Sequence, residues 1–302
     1  MSRSRLPGER RYAQEGEALL LPFMQSSEMV HMGLGRLDSA GWIPPCAKLP
    51  HYLHNKLRVR RQFGERVCAC LPGSAAAQRE LHSLLLAHLC RDHALRYALS
   101  AGCLHWRGPG GALRWPLHGG EPLWDASCWI ADDLCILEPG ERGYRLTAAS
   151  LAAPSYWRLE EKIGRPLDAI HAPVPGLAGK IGERVARFFD HLLPDYPVWR
   201  SNWSVVASPE LLQRGGGGEG GSERGGDLYL RVERQSLRRL PKTGAVVFSI
   251  RVAINPLADI LPVPGAPAAL ARAVRQLSPD EARYKSLAPL LPALHDFLAT
   301  RG

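Results

Sequence analysis

The stretch from Asp227 to Val252 constrains the fold most, because it alternates twice with a period of two. Within 227–235, Leu228, Leu230 and Val232 fall on one side of an extended chain, and Tyr229, Arg231, Glu233 and Gln235 fall on the other. Within 245–252, Val246, Phe248, Ile250 and Val252 oppose Val247, Ser249 and Arg251. Successive strand side chains point to opposite faces, so both stretches read as strands and not as helices. Residues 237–244 join them as an antiparallel hairpin, and a third strand over 198–206 places Arg200, Asn202 and Ser204 on one side. If that side is shared, three strands present several arginines and one carboxylate together. Two readings stand level: a solvated sheet face, which antiparallel sheets often have, and a pocket wall, favoured by Trp199, Trp203 and the density of arginine.

Other segments supply a mixed set of elements. Leu134 to Leu137 and 144–151 are apolar runs of strand length between turn residues. After Pro72-Gly73, Ser74 is placed to cap a helix whose Leu81, Leu84, Leu85 and Leu89 share one face. Ile181, Val185, Phe188, Phe189 and Leu192 form a second helical stripe. Ser278-Pro279-Asp280-Glu281 holds an N-cap, a first-turn proline and the glutamate of a capping box. Residues 102–120, rich in Gly and Pro, read as a loop pinned by Trp106 and Trp115. Strands bracketed by helices predict an α+β fold with an antiparallel sheet. The expected organisation is a polar tail (1–28), an N-terminal helical and loop region (29–130), a sheet-bearing core (131–260) and C-terminal helices (261–302). Residues 214–226, mostly glycine, are expected to be a flexible surface loop. No strand-to-helix context or following Lys-Ser/Thr makes them a phosphate loop.

With 302 residues, 45% of them hydrophobic, the chain is long enough for one large core or two modest ones. Its net charge of +9 is mostly arginine, which suits carboxylate and phosphate partners. No basic run, RNA-binding aromatic signature or zinc-finger spacing points to nucleic acid. Seven cysteines without regular spacing do not form a disulfide framework. The start of the chain offers no signal-peptide core or membrane span, so the expectation is a cytoplasmic protein with no membrane partner.

The segment from Lys162 to Gly176 carries the most pointed chemistry. Pro166 starts a short helix that Pro173 must end, which sets His171 in the last turn of a bounded element. A metal ligand needs such a fixed ring, although a lone histidine is more often a packed or solvent-facing one. Cys68-x-Cys70 lacks the partners of a zinc or iron–sulfur site and reads as a strand. Asp132-Asp133 has the chemistry to bind a cation, yet adjacent carboxylates on a strand diverge and more often sit at a turn.

Several segments together resemble the heme-dependent oxidative N-demethylase family, in matching order over roughly residues 30–300. They are Met32 to Asp38, Leu71 to Ser74 with Ala77 to Glu80, Lys162 to Gly176 and Phe188 to Asp190. Pro197 to Arg200 with Asn202 to Ser204, Leu230 to Pro241, Gly244 to Arg251 and Tyr284-Lys285 complete the set. LRVERQSLRRLP and KIGRPLDAIHAPVPG are the most specific pieces. The resemblance implies a PAS-like heme domain holding heme b and demethylating a small secondary amine with release of formaldehyde. It makes His171 the expected iron ligand, with Arg231, Arg234 and Arg238 as heme contacts and Glu233 and Arg251 as catalytic candidates. It also implies a separate electron-donating reductase of flavin and iron–sulfur type. The alternative is a non-catalytic heme-binding PAS sensor, since a fold does not determine a function. The chain departs from the family pattern at 44–51, at Ala131-Asp132-Asp133 and in its glycine-rich stretch, which bears on the substrate more than on the fold.

Overall fold

The computed structural model describes residues 9–10, 19–25, 34–117, 119–141, 143–171, 181–214 and 227–299. In chain order the elements are β1 (Glu9–Arg10), β2 (Leu19–Leu20), β3 (Gly35–Arg36), α1 (Leu49–Phe63), β4 (Cys68–Cys70) and α2 (Ala75–Asp92). Next come β5 (Tyr97–Ser100), β6 (Cys103–Gly108), β7 (Gly111–Pro116), α3 (Pro122–Cys128), β8 (Asp133–Gly140), β9 (Gly143–Ser150), α4 (Leu167–His171) and α5 (Ile181–His191). The last are β10 (Val198–Val206), β11 (Tyr229–Arg239), β12 (Val246–Pro256), α6 (Ala266–Arg275), α7 (Pro279–Tyr284) and α8 (Leu291–Ala299). The fold is α+β, with a seven-stranded antiparallel sheet ordered β3-β10-β11-β12-β8-β9-β4 and helices flanking it. The chain divides into two compact units, and not linearly: unit 1 comprises Met1–Gly33, Ser201–Arg234 and Val252–Gly302, and unit 2 comprises Leu34–Arg200 and Gln235–Arg251.

In unit 2, β12 pairs with β8 from Val246↔Leu137 to Ile250↔Asp133, β8 pairs with β9, and β9 pairs with β4. Two apolar clusters fill this unit. One holds Leu81, Leu85 and Leu89 of α2 with Trp42, Trp106, Trp129, Ile136 and Val247, so the expected stripe of α2 is core. The other holds Leu167 and Ile170 of α4, Phe189 of α5, Tyr144, Leu146 and Val246. Neighbouring residues of β12 therefore feed different clusters, as alternation requires.

The turn between β11 and β12 closes where the sequence placed it. Leu240 N donates to Ala245 O at 2.7 Å, and Gly244 takes φ +70°, a conformation that costs glycine little. Glu80 of α2 fastens this turn, its carboxylate accepting from Lys242 N, Thr243 N and Thr243 Oγ1.

Two local expectations are corrected. Residues 103–108 and 111–116, within the stretch read as a loop, are the strands β6 and β7, which with β5 form a three-stranded antiparallel sheet with the register Cys103↔Pro116 to Gly108↔Gly111. Glycine and proline mark its tight turns, and Leu104 and Trp106 are fully buried between them. Ser74 does not cap α2 with its side chain. Its Oγ donates instead to Leu71 O and accepts from Gln78 Nε2.

Unit 1 has its own core, built from Trp203, Val205, Leu230 and Val232 of β10–β11, from Leu228 just before β11, and from Leu257, Ile260, Leu270, Val274 and Leu294. Leu19, Leu21 and Phe23, within the stretch read as a polar tail, are buried in it, and Phe23 meets Trp203 edge-on at 5.3 Å. The capping box of α7 forms as expected, Ser278 Oγ accepting from Glu281 N. Among the described residues no helix is long and apolar enough to cross a membrane. All seven cysteines are free thiols. The glycine-rich residues 215–226 lie outside the described residues.

Candidate functional site

In unit 1, alternation on β11 sends Leu230 and Val232 into the core and turns Arg231 and Glu233 the other way. That second face is not solvated: the side chains of Arg231 and Glu233 are 1% and 15% exposed. They form an ion pair, with Arg231 Nε 3.7 Å from Glu233 Oε1, and Arg231 Nη1 donates to Leu211 O at 3.1 Å. Asn202 of β10 donates from Nδ2 to Glu233 Oε2 at 3.3 Å, and Lys285 donates to Asn202 Oδ1 at 2.6 Å. Arg234, the next residue along, is buried as well. Unit 1 thus brings Arg231, Glu233 and Asn202 together as sequence alternation predicts, and adds Lys285.

Unit 2 holds Arg251 and Arg238. Arg251 donates from Nε and Nη2 to Asp132 Oδ2 at 2.9 and 2.6 Å and from Nη2 to Pro44 O. Asp132 is fully buried, and so is Asp133, whose two carboxylate oxygens accept from Ala152 N and Ala153 N. The adjacent carboxylates diverge as expected, and each takes a protein partner, although Asp132 Oδ1 is buried with no hydrogen-bond partner among the described residues. Lys56 of α1, 1% exposed, donates to Ser127 O at the end of α3 and to Asp132 O. Its ammonium neutralises the same buried region, although burial lowers its pKa, with Asp133 the first of the charges that oppose the shift.

Arg238 is the less satisfied of these two arginines. It is 5% exposed, donates from Nε to Pro194 O at 3.1 Å and stacks over the Trp42 ring at 4.5 Å. Its Nη1 is buried with no hydrogen-bond partner among the described residues. Burial lowers its pKa against the favourable fields of Asp195 and Asp92. The neighbouring Ile43 is gripped by His88, whose Nε2 lies 3.1 Å from Ile43 O and whose Nδ1 lies 2.8 Å from Asp92 Oδ2. Trp42 to Pro44 is therefore held by residues from α2, β11 and β12.

His171 closes α4, whose Leu167 and Ile170 are packed in the core of unit 2 and whose Ile170 N donates to Pro166 O at 3.1 Å. The short helix after Pro166 is present. The His171 side chain and Pro173 lie outside the described residues. Among the described residues no cluster of three or more His, Cys, Asp or Glu side chains is arranged to hold a metal ion.

Sequence reading passed over Lys56, His88 and the role of Asp132. Only the last left a signal: two acidic residues between Trp129-Ile130 and Leu134 to Leu137 sit among side chains that must be buried, and a buried carboxylate demands a partner. A family model described as "Haem-dependent oxidative N-demethylase, alpha subunit-like" matches residues 33–294.

Proposed function

The chain belongs to the haem-dependent oxidative N-demethylase, alpha subunit-like family, and on that premise we propose that it is an oxidative N-demethylase of small secondary amines carrying heme b. The observation that carries the reading is Arg238. A buried guanidinium with an unsatisfied Nη1 and an aromatic face against it fits a carboxylate such as a heme propionate, because a desolvated arginine donor left unmet is costly.

On this reading His171 would hold the heme iron, and Arg231, Arg234 and Arg238 would be the cationic contacts of the heme. Bound heme supplies the activation of dioxygen. The overall change is R–NH–CH3 + O2 + 2 H+ + 2 e− → R–NH2 + CH2O + H2O. Its electrons come from a separate reductase of flavin and iron–sulfur type, in keeping with a family defined by an alpha subunit. The residues of the chain bind and orient. Glu233, held by Arg231 and Asn202, meets the protonated amine through its carboxylate. Arg251, tied to Asp132 and Pro44, steadies the Trp42 to Pro44 segment.

The test is reconstitution with heme followed by incubation of a secondary methylamine with dioxygen and a chemical reductant. Stoichiometric formaldehyde supports the reading, and heme binding without turnover favours a sensor. In parallel, Arg238→Met loses heme on gel filtration faster than the wild type. Equal retention by the two proteins removes Arg238 from the heme contacts.

A further inference from the structure

Unit 1 contains a polar chain that links three elements far apart in sequence. Lys285, which follows α7, donates from Nζ to Asn202 Oδ1 at 2.6 Å and to Trp203 O at 2.9 Å. Asn202 Nδ2 donates to Glu233 Oε2 at 3.3 Å, and Glu233 Oε1 lies 3.7 Å from Arg231 Nε. The orientation of the Asn202 amide follows from its two neighbours. An ammonium only donates and a carboxylate only accepts, so the amide must turn its oxygen to Lys285 and its nitrogen to Glu233. Half a turn about the terminal bond would set NH2 against NH3+ and C=O against COO−, making both contacts repulsive.

Lys285 is itself secured. Its backbone N donates to Glu281 O at 3.0 Å, and Ser204 Oγ donates to Lys285 O at 3.3 Å. Its Nζ also lies 5.9 Å from the centroid of the Trp203 ring. Trp203 is buried in the core of unit 1, which gives the ammonium a rigid base. Lys285 and Asn202 come from separate short motifs, Tyr284-Lys285 and Asn202-Trp203-Ser204, which the fold joins.

We propose that Lys285 is a positioning residue for the Glu233 carboxylate, acting through Asn202. Lys285 holds the amide with its nitrogen toward Glu233, and the amide directs the carboxylate that receives the protonated amine. This rests on the reading of Glu233 as the amine's partner. Without the ammonium, the amide keeps only the Glu233 contact of the two that fix its orientation, swings more freely, and Glu233 loses its neutral donor for part of the time. Amine binding then weakens by about tenfold, the weight of one hydrogen bond to a charged group.

The experiment compares wild type, Lys285→Met, Lys285→Gln, Lys285→Arg, Asn202→Leu and the Lys285→Met/Asn202→Leu double variant. Dimethylamine binding to the heme-loaded protein is measured by spectral titration. The Asn202 side-chain NH2 resonances are followed by 15N NMR. Lys285→Met and Lys285→Gln are expected to shift the Asn202 resonances and weaken dimethylamine about tenfold. Lys285→Arg, still donor-only, retains most of the affinity, and Lys285→Met has no further effect once Asn202→Leu is present. Unchanged Asn202 resonances, or an equal loss from Lys285→Met with and without Asn202→Leu, overturn the proposal. If wild type binds no dimethylamine, the functional reading of Glu233 falls, while the Asn202 resonances still decide whether Lys285 orients the amide.

Discussion

Replacing Arg251 with methionine tests whether the Arg251–Asp132 pair is a buried electrostatic unit. Both guanidinium contacts reach one carboxylate oxygen, at 2.9 and 2.6 Å, and the two side chains are 13% and 0% exposed. Removing one partner of such a pair costs about 3–5 kcal/mol, because the other charge stays desolvated. The two single variants are expected to differ. Lys56 sits at Asp132 O, and its ammonium is favoured by Asp132 and opposed by Arg251. Arg251→Met leaves Asp132 with Lys56 still beside it, so its cost falls near the lower figure, about 3 kcal/mol. Asp132→Leu takes from Arg251 the carboxylate that both its contacts reach and from Lys56 one of the charges that favour its ammonium, and its cost falls near the upper figure, about 5 kcal/mol. The double variant removes both charges and returns most of the loss, as apolar replacement of a whole buried pair does. Urea unfolding followed by tryptophan fluorescence measures all four proteins, and the coupling energy comes from the cycle. Single variants each costing below about 1 kcal/mol would show that the pair behaves as an exposed one. A double variant whose loss is the sum of the two single losses would refute the reasoning as well.

Four further outcomes are expected. His93, held by burial and by nearby His88 at a pKa of about 4, stays neutral in NMR titrations from pH 7 down to that value. Its folded pKa lies below the ordinary value of about 6.5, so its contribution is present above pH 6.5 and lost as pH falls through 4. His93→Gln therefore flattens the pH dependence of the unfolding free energy in that window. Glu80→Ala removes three charge-assisted hydrogen bonds that fasten the β11–β12 turn and lowers the urea-unfolding free energy by about 1.5–3 kcal/mol, the weight of a hydrogen bond to a charged group. His171→Ala lowers heme occupancy or alters the ferric absorption spectrum while circular dichroism stays native; an unchanged spectrum and heme content exclude it as the axial ligand. Glu233→Gln weakens secondary-amine binding in spectral titrations and spares heme content, and equal amine affinity removes Glu233 from the substrate contacts.

The elements of this protein were legible where a local rule acts within a few residues. Period-two alternation places Leu230 and Val232 in the core of unit 1 and turns Arg231 and Glu233 away from it. The Ser278 to Glu281 capping box and the leucine stripe of α2 are likewise local. The strands within 102–120 read as a loop because glycine and proline supply eight of its nineteen residues. These strands are short and gain stability only from pairing, with Trp106 fully buried. Ser74 has the right type and place for a cap, but the hydroxyl finds Leu71 O and Gln78 instead, a competition no local rule resolves.

Sequence by itself determined the α+β class, the β11–β12 hairpin and the burial of one strand face, because apolar periodicity is an intrinsic property of the chain. It also showed that Arg231, Glu233 and Asn202 fall on polar strand faces. Which polar groups satisfy one another was decided only by tertiary structure: Arg251 with Asp132 across 119 residues, Lys285 with Asn202 across 83. Burying a charge is unfavourable until a partner of opposite sign or complementary hydrogen bonding arrives. For these residues that partner comes from a remote part of the chain, and only the folded chain supplies it.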